Sequence, residues 1–301
     1  MSKLNKTIKL ENFDDLFIGN PEDIEKNLTV LLPEAFALPN KSIYLQILSQ
    51  IALAQAMQKK FQEAHLLLNK TESMFLPNYK LAEIRILLER GRVYHQENMA
   101  RKALQFFKKS YKLSKQYSFD FHTIDAAHMI AIVLKDPTKK IQWNNLAINF
   151  AKTTNDKKGS NWLGALYNNI AQNYLEANLY EDAIQAFKLC KKYGKIQNDH
   201  IVIRTAKWGI ARTLRSLGLL NKALSIQKQL LKEYEEIPKK SQIPAELIRT
   251  GRGLVYEELT EIYQTFMKKF ASLADADLSQ GPGFIKLEPK RLAKMKRLHK
   301  F

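Results

Sequence analysis

The sequence has few of the residues that build disulfide-bonded, β-rich or membrane-spanning proteins. One cysteine among 301 residues excludes an internal disulfide bond. Eleven glycines and nine prolines are few, and no segment sustains the alternation of apolar and polar residues that marks a strand, so an all-helical chain is predicted. No run approaches the ~18 apolar residues of a membrane span, and residues 1–20 lack the apolar core of a signal peptide. A cytoplasmic protein without a transmembrane segment is therefore expected.

The sequence signatures of catalysis and metal binding are also missing. The six histidines show no i, i+4 pairing and have no cysteine companion. The chain carries no G-x-S-x-G nucleophile motif, and its glycine pairs carry no phosphate-loop lysine. Cys190 falls on the inner face of a predicted helix, where a small buried residue is expected rather than a reactive thiol. We therefore predict a protein that is not an enzyme, with no catalytic residues, no metal site and no cofactor.

The clearest positive signal is a helix–turn–helix unit over residues 162–195. Its first helix carries apolar and small residues at i, i+3, i+4 and i+7, and its second helix keeps small residues on one side. Small residues at such positions let two antiparallel helices approach closely. The residues that define the unit are, in order, Tyr167, Ala171, Tyr174, Asn178, Tyr180, Ala183, Phe187 and Cys190.

The same signature recurs along the chain and can be aligned on one alanine of each second helix. These anchoring alanines are separated by 39, 80 and 40 residues. The gap of 80 residues spans two periods, and a divergent repeat is predicted within it over residues 121–153, with Trp143 in the place of the alanine. The anchors are Ala64, Ala103, Ala183 and Ala223.

This order of large, small, aromatic, turn and small residues resembles the tetratricopeptide repeat (TPR). Several sequence segments also resemble a bacterial group of TPR-containing proteins of unknown function; they are residues 84–93, 125–129, 162–170 and 211–218. The period of about 40 residues exceeds the usual TPR length of ~34. The resemblance covers nearly the whole chain. It implies an all-α, right-handed α-solenoid of five to six TPR-like helix–turn–helix repeats, in which the first helices line a concave groove.

Three segments are predicted from this pattern. Residues 1–40 read as an N-terminal capping segment and residues 41–280 as the TPR-like superhelix, whose sixth hairpin begins near Tyr256 and whose last helix is shortened at 275–277. Residues 281–301 read as a basic C-terminal tail or capping helix. For the tail, docking on the last hairpin is one interpretation, and contact with a membrane surface or a nucleic acid is the other.

The formal net charge of +18 and the pI near 9.7 raise the question of an anionic partner. Many lysines fall on second helices, which form the convex wall of such solenoids. They are interpreted either as a solvated face or as a nucleic-acid surface. The lysines of the second and fourth repeats are Lys102, Lys108, Lys109, Lys112, Lys115, Lys188, Lys191, Lys192 and Lys195.

The resemblance also selects the residues of the first helices that face the groove. They are mostly cationic or amide-bearing, and such groups suit carboxylates and the main chain of an extended peptide. Four arginines turned to one concavity would repel each other without an anion, and the tryptophan would supply an apolar anchor. The candidate ligand-binding residues are Arg85, Arg92, Asp125, His128, Asn168, Gln172, Trp208, Arg212 and Arg215.

Two function classes follow from these observations. The first is a non-catalytic scaffold that binds a protein or an extended acidic or carboxylate-terminated peptide in the groove. The alternative is a nucleic-acid-associated or regulatory protein that uses its basic surface. A purely structural interpretation of the groove also stays open, in which its polar residues are only a solvated inner surface and some arginines pair with Glu83, Glu89 or Glu257.

Overall fold

The computed structural model describes residues 10–17, 19–237, 243 and 245–279. Over these residues the chain consists of helices and connections without any strand, so the all-α prediction is confirmed. The chain divides into two compact units, Met1–Thr213 and Leu214–Phe301. None of the helices within the described ranges is long and apolar enough to cross a membrane.

The first unit begins with a short 3₁₀ helix and continues as a series of antiparallel helix pairs. The helices α3 and α4, α5 and α6, α7 and α8, and α10 and α11 pack as pairs, and α12 extends from the first unit into the second, where α13 packs on α14. The bounds are 3₁₀ helix Leu10–Leu16, α1 Pro21–Val30, α2 Leu32–Ala37, α3 Ser42–Met57, α4 Phe61–Glu72, α5 Lys80–Gln96, α6 Ala100–Gln116, α7 Asp120–Val133, α8 Pro137–Thr153, α9 Lys157–Ser160, α10 Leu163–Glu176, α11 Tyr180–Ile196, α12 His200–Ser216, α13 Leu220–Glu235 and α14 Ala245–Ser279.

Six of the connections share one three-residue turn. In each of them the middle residue has a φ between 54° and 74°, the left-handed conformation that ends a helix. The following N–H donates to the carbonyl five residues earlier, at 2.8–2.9 Å, which satisfies one of the last carbonyl groups of the preceding helix. The middle residues are Lys59, Asn98, Ser118, Asn178, Asn198 and Gly218.

The connection from α7 to α8 uses different chemistry. Leu134 is extended, and the carboxylate of Asp136 accepts from the backbone N–H of Lys139 and caps α8, which begins at Pro137. Asp136 therefore starts the second helix of the divergent repeat as an N-cap, and the left-handed turn is not needed.

The anchoring alanines are buried as predicted, since Ala64, Ala103, Ala183 and Ala223 are each 0% exposed.

The prediction for the divergent repeat is wrong by one residue. Trp143 is only partly buried and packs edge-on against Tyr111, with 5.1 Å between ring centroids. Asn144 instead takes the inner position at 1% exposed, and the buried Ile148 and Ala151 follow at i+4 and i+7, as Phe187 and Cys190 follow Ala183. Helix α8 begins seven residues before Asn144, whereas α6 and α11 begin three residues before their alanines, and Asn144 lies 41 residues after Ala103.

The predicted sixth hairpin is wrong. Residues Ala245–Ser279 form one continuous helix, in which residues 275–277 lie inside the helix and do not end it. The sequence from 254 to 279 has no glycine or proline that could break the helix, and two isolated aspartates are too weak a signal. The basic segment 281–301 lies outside the described residues.

Two glycines provide a test of the close helix contacts. A Cβ added at Gly209 would lie 2.2 Å from the ring of Phe187, which is fully buried, whereas a Cβ added at Gly253 would meet nothing within 4 Å. We expect Gly209→Ala to reduce the free energy of unfolding by about 1–3 kcal/mol through overpacking. Gly253→Ala should raise it by roughly 0.5–1 kcal/mol, because alanine favours the helix. Urea titrations of both variants check this, and equal stabilities would contradict it.

Candidate functional site

A cavity of about 520 Å³ lies within the first unit, where the first helices of three successive pairs, α3, α5 and α7, meet α9 and the 3₁₀ helix. Its walls combine apolar and charged side chains. The lining residues are Asp14, Phe17, Gln50, Leu53, Arg85, Leu88, Glu89, Arg92, Phe121, His122, Asp125, Lys158, Asn161 and Trp162.

The spacing of the polar residues along each helix explains why they reach the same cavity. Arg85, Glu89 and Arg92 lie at i, i+4 and i+7 of α5 and therefore share one face. Gln50 and Leu53 of α3 precede Glu89 and Arg92 by 39 residues, which is also the separation of the anchors of their two repeats. The repeat register therefore brings equivalent positions of successive helices to one surface.

One side of the cavity is a buried ion-pair network. The guanidinium of Arg92 donates to Glu89 at 2.8 Å and to both carboxylate oxygens of Asp125 at 2.6 Å. The side chains of Glu89 and Asp125 are 4% and 6% exposed. Burial raises the pKa of the Glu89 carboxyl against the opposing effect of Arg92. Desolvation works against the charge of Arg92, but Asp125 and Glu89 outweigh it and raise the pKa of this guanidinium.

The other side of the cavity binds a carboxylate of the chain itself. Asp14 of the 3₁₀ helix accepts from Arg85 at 2.6 Å and from the Gln50 amide at 3.0 Å, and it lies 3.2 Å from the ammonium of Lys158. The ring of Phe13 lies 5.2 Å from the Arg85 guanidinium. Burial alone would raise the pKa of Asp14, but Arg85 and Lys158 outweigh it and hold that pKa below its usual value.

Three polar atoms on the cavity residues have further hydrogen-bonding capacity. Within the described part of the chain, Gln50 Oε1, Glu89 Oε2 and His122 Nε2 are buried and have no hydrogen-bond partner. Burial lowers the pKa of His122 to about 4, so its imidazole is neutral at pH 7. An unsatisfied buried polar atom is costly, and atoms of this kind at a cavity wall favour a polar ligand there.

The candidate residues from the sequence are only partly brought together. Arg85, Arg92 and Asp125 line the cavity. His128 lies beside it, with its ring 5.8 Å from that of Trp162 and its Nδ1 3.4 Å from the amide of Asn169, and burial lowers its pKa.

The remaining candidates lie on later helices. Asn168 and Gln172 are partly buried on α10, and Asn168 Oδ1 has no hydrogen-bond partner within the described ranges. Arg212 of α12 places its guanidinium 5.3 Å from the ring of Trp208. Arg215 belongs to the second unit. Joint participation of these residues in one groove stays a prediction.

The argument that the four arginines require an external anion does not hold for three of them. Arg85 pairs with Asp14, Arg92 with Glu89 and Asp125, and Arg215 with Glu258 at 2.5 Å and Glu261 at 3.7 Å. Among the expected glutamate partners, Glu89 does pair with an arginine, whereas Glu83 pairs with Lys80. For Arg215 the glutamates are Glu258 and Glu261 rather than Glu257.

The sequence interpretation did not name several polar residues of the cavity as candidates. Asp14 is 71 residues from Arg85, and no helical spacing could connect the two. Gln50 could have been found from the repeat register, and Glu89 was named only as a possible partner of an arginine. The polar residues that were not named as candidates are Asp14, Gln50, His122, Lys158 and Asn161. Cys190 is fully buried, as the sequence suggested, and burial raises the pKa of its thiol to about 12.

Consecutive antiparallel helix pairs, with buried small residues at their anchors and polar residues on their first helices, define a TPR-type fold. Solved structures with this fold include the apo form of RapI, with 12% identity and a TM-score of 0.64 over 88% of this chain and 70% of that one. A Signal Transduction ATPase with Numerous Domains (STAND) protein with a TPR sensor from Pyrococcus horikoshii is 18% identical, with a TM-score of 0.59 over 90% of this chain.

A set of nearly identical TPR-like repeats from Podosopora anserina is also similar, with 13% identity and a TM-score of 0.54 over 68% of this chain and all of that one. The present chain spans 43% of the length of the STAND chain. No protein-family model and no curated protein matches the sequence. The similarities confirm the predicted TPR fold, an all-α right-handed solenoid class.

His122 provides a pH-dependent test of the cavity. Its folded pKa of about 4 lies below the ordinary value of 6.5, so the unfolded chain takes up a proton between these pH values and the folded chain does not. The charged groups that act on its ring are Asp14, Arg85, Arg92 and Asp125. Stability should therefore fall as the pH drops from 7 to 5.

We expect His122→Asn to remove about 1–2 kcal/mol of this acid-induced loss in the free energy of unfolding. His200→Asn changes an exposed histidine and serves as the matched control. Denaturant titrations at a series of pH values measure the effect. Parallel pH profiles for the wild type and His122→Asn would contradict the assignment.

Proposed function

We propose that this chain is a non-catalytic repeat scaffold that binds an extended polypeptide along the first helices of its repeats, with the cavity between α3, α5 and α7 as the centre of the site. The observation that carries the proposal is the set of three buried polar atoms that belong to residues lining one cavity and have no partner in the described part of the chain. Their positions on three different helices match a ligand that runs across successive repeats.

The chemistry of the wall suits a peptide main chain. Gln50 Oε1 is an acceptor for a peptide N–H, and the neutral His122 and the Glu89 carboxyl supply further hydrogen-bonding groups. Phe121 and Trp162, edge-on with 5.6 Å between centroids, form an aromatic wall for one apolar side chain. Peptide grooves commonly combine a few polar contacts with such an anchor.

The proposed ligand is acidic or ends in a carboxylate, because the cavity already accommodates a carboxylate between Arg85 and Lys158. The ionic contribution of Arg85 and Lys158 to binding should decrease with salt, because screening weakens it. The candidates of the first unit that lie beyond the cavity would contact the ends of the ligand. They are His128, Asn168, Gln172, Trp208 and Arg212.

A cavity-filling variant tests this proposal. Leu53 lines the cavity and is 7% exposed, so Leu53→Phe should reduce its volume, whereas Leu53→Met conserves side-chain size. We expect Leu53→Phe to weaken the binding of an immobilised library of acetylated hexapeptides by about tenfold, and Leu53→Met to preserve it. Circular dichroism melts establish that both variants are folded. Undiminished binding by Leu53→Phe would exclude the cavity as the site.

The nucleic-acid alternative rests on the lysines of α6 and α11, most of which are exposed. Part of this charge takes part in cation–π contacts within the fold. The ammonium groups of Lys102, Lys109 and Lys115 lie 5.2–5.9 Å from the centroids of aromatic rings. A labelled single-stranded RNA in the same binding assay separates the two functions. Tight, strongly salt-dependent RNA binding by a protein that ignores the peptide library would favour the alternative.

A further inference from the structure

We infer that Gln50, Arg85 and Lys158 form a carboxylate subsite that the chain's own Asp14 fills in this structure, and that an acidic side chain or terminal carboxylate of the partner polypeptide takes it by displacing the 3₁₀ helix. The inference rests on the proposed function. Asp14 is the internal competitor of the ligand, because it occupies the subsite from within the same chain.

The subsite is formed by three separate elements. Gln50 comes from α3, Arg85 from α5 and Lys158 from α9, and all three converge on one carboxyl group at 2.6–3.2 Å. The side chain of Arg85 is 7% exposed, so its guanidinium is held inside the protein and is not a mobile surface group. Such a geometry is specific for a carboxylate, because donors approach both of its oxygens from different directions.

Asp14, which occupies the subsite, lies on an element that a ligand can displace. Asp14 lies on a seven-residue 3₁₀ helix, whose hydrogen-bond geometry is weaker than that of an α-helix. The side chain of Asp14 is 30% exposed and that of Lys158 is 61% exposed, so a ligand can approach the ion pair from the solvent side. Leu10, Phe13 and Leu16 hold the helix on the apolar surface of α1 and α3.

The charge balance determines what can replace Asp14. Removing its carboxylate without a substitute would leave the Arg85 guanidinium buried and uncompensated, which is strongly unfavourable. Glu89 is already paired with Arg92, and burial raises the pKa of its carboxyl, which disfavours a second role as the counter-ion of Arg85. A neutral ligand would therefore leave the 3₁₀ helix in place, whereas a carboxylate can exchange with Asp14 at constant charge.

Because Asp14 occupies the subsite, an acidic ligand can bind only to the fraction of molecules in which the subsite is open. The apparent affinity is therefore the intrinsic affinity multiplied by that fraction. The test uses the full chain and a fluorescent peptide with the sequence of residues 10–17, LENFDDLF, acetylated and amidated. Anisotropy titrations compare the wild type with Asp14→Asn. Asp182→Asn, which removes one exposed carboxylate from α11, is the matched control.

We expect Asp14→Asn to bind this peptide about tenfold or more tightly than the wild type and the Asp182→Asn control. The same peptide with asparagine in place of its first aspartate, which corresponds to Asp14, should gain no affinity. Adding Lys158→Gln to Asp14→Asn should reverse the gain, because it removes one cation of the subsite. If Asp14→Asn proves poorly stable, Lys158→Gln alone changes an exposed side chain of the subsite and should weaken binding of the peptide.

Two results would overturn the inference in distinguishable ways. If Asp14→Asn binds the acidic peptide no better than the wild type while the hexapeptide library still binds in a Leu53-dependent manner, the carboxylate subsite is wrong and the proposed function stands. If no variant binds the acidic peptide or the library, the proposed function fails together with the inference.

Discussion

The close approach of two helices at a small residue is the constraint on which the rest of this structure depends. Ala103 and Ala183 are fully buried, and the rings of Phe107 and Phe187 occupy the space that a Cβ would need at Gly91 and Gly209. A contact of this kind leaves almost no freedom in how far one helix slides or rotates on the next. Residues at a fixed distance from the anchor are therefore presented to the same surface in successive repeats.

The polar cavity is a consequence of that repetition, and it is electrically balanced. Its walls carry the carboxylates of Asp14, Glu89 and Asp125, and they also carry the cationic groups of Arg85, Arg92 and Lys158. Buried charges persist when each has a partner, and the pairs that join α5 to α7 and the 3₁₀ helix to α5 connect elements that are distant in sequence. The overall charge of +18 therefore says little about the cavity, which is locally close to neutral.

The repeat architecture could be predicted from the sequence because it depends on local periodicity and on side-chain size. The anchors, the turn at Asn178 and the all-helical class follow from such signals. Asn144 was missed because the divergent repeat departs from the regular spacing by a single residue. Helix α14 was divided in error because weak helix breakers were given the weight of strong ones.

The site was less accessible to prediction, because its contacts join residues far apart in the chain. The resemblance to the repeat family placed Arg85, Arg92 and Asp125 on first helices, and they lie on α5 and α7. It could not show that Asp14 neutralises Arg85, since that pairing depends on how the 3₁₀ helix packs on α1 and α3. Charges counted along isolated helices therefore overstate the need for an external anion.

The six three-residue turns limit the positions at which the chain can gain or lose residues. An extra residue in any of them would rotate the following helix by about 100° and advance it by about 1.5 Å, which would turn its anchor away from its neighbour. Insertions and deletions should therefore be confined to connections that lack this turn, such as residues 73–79 between α4 and α5. Among natural variants of this chain, length differences at this place would be compatible with an unchanged fold.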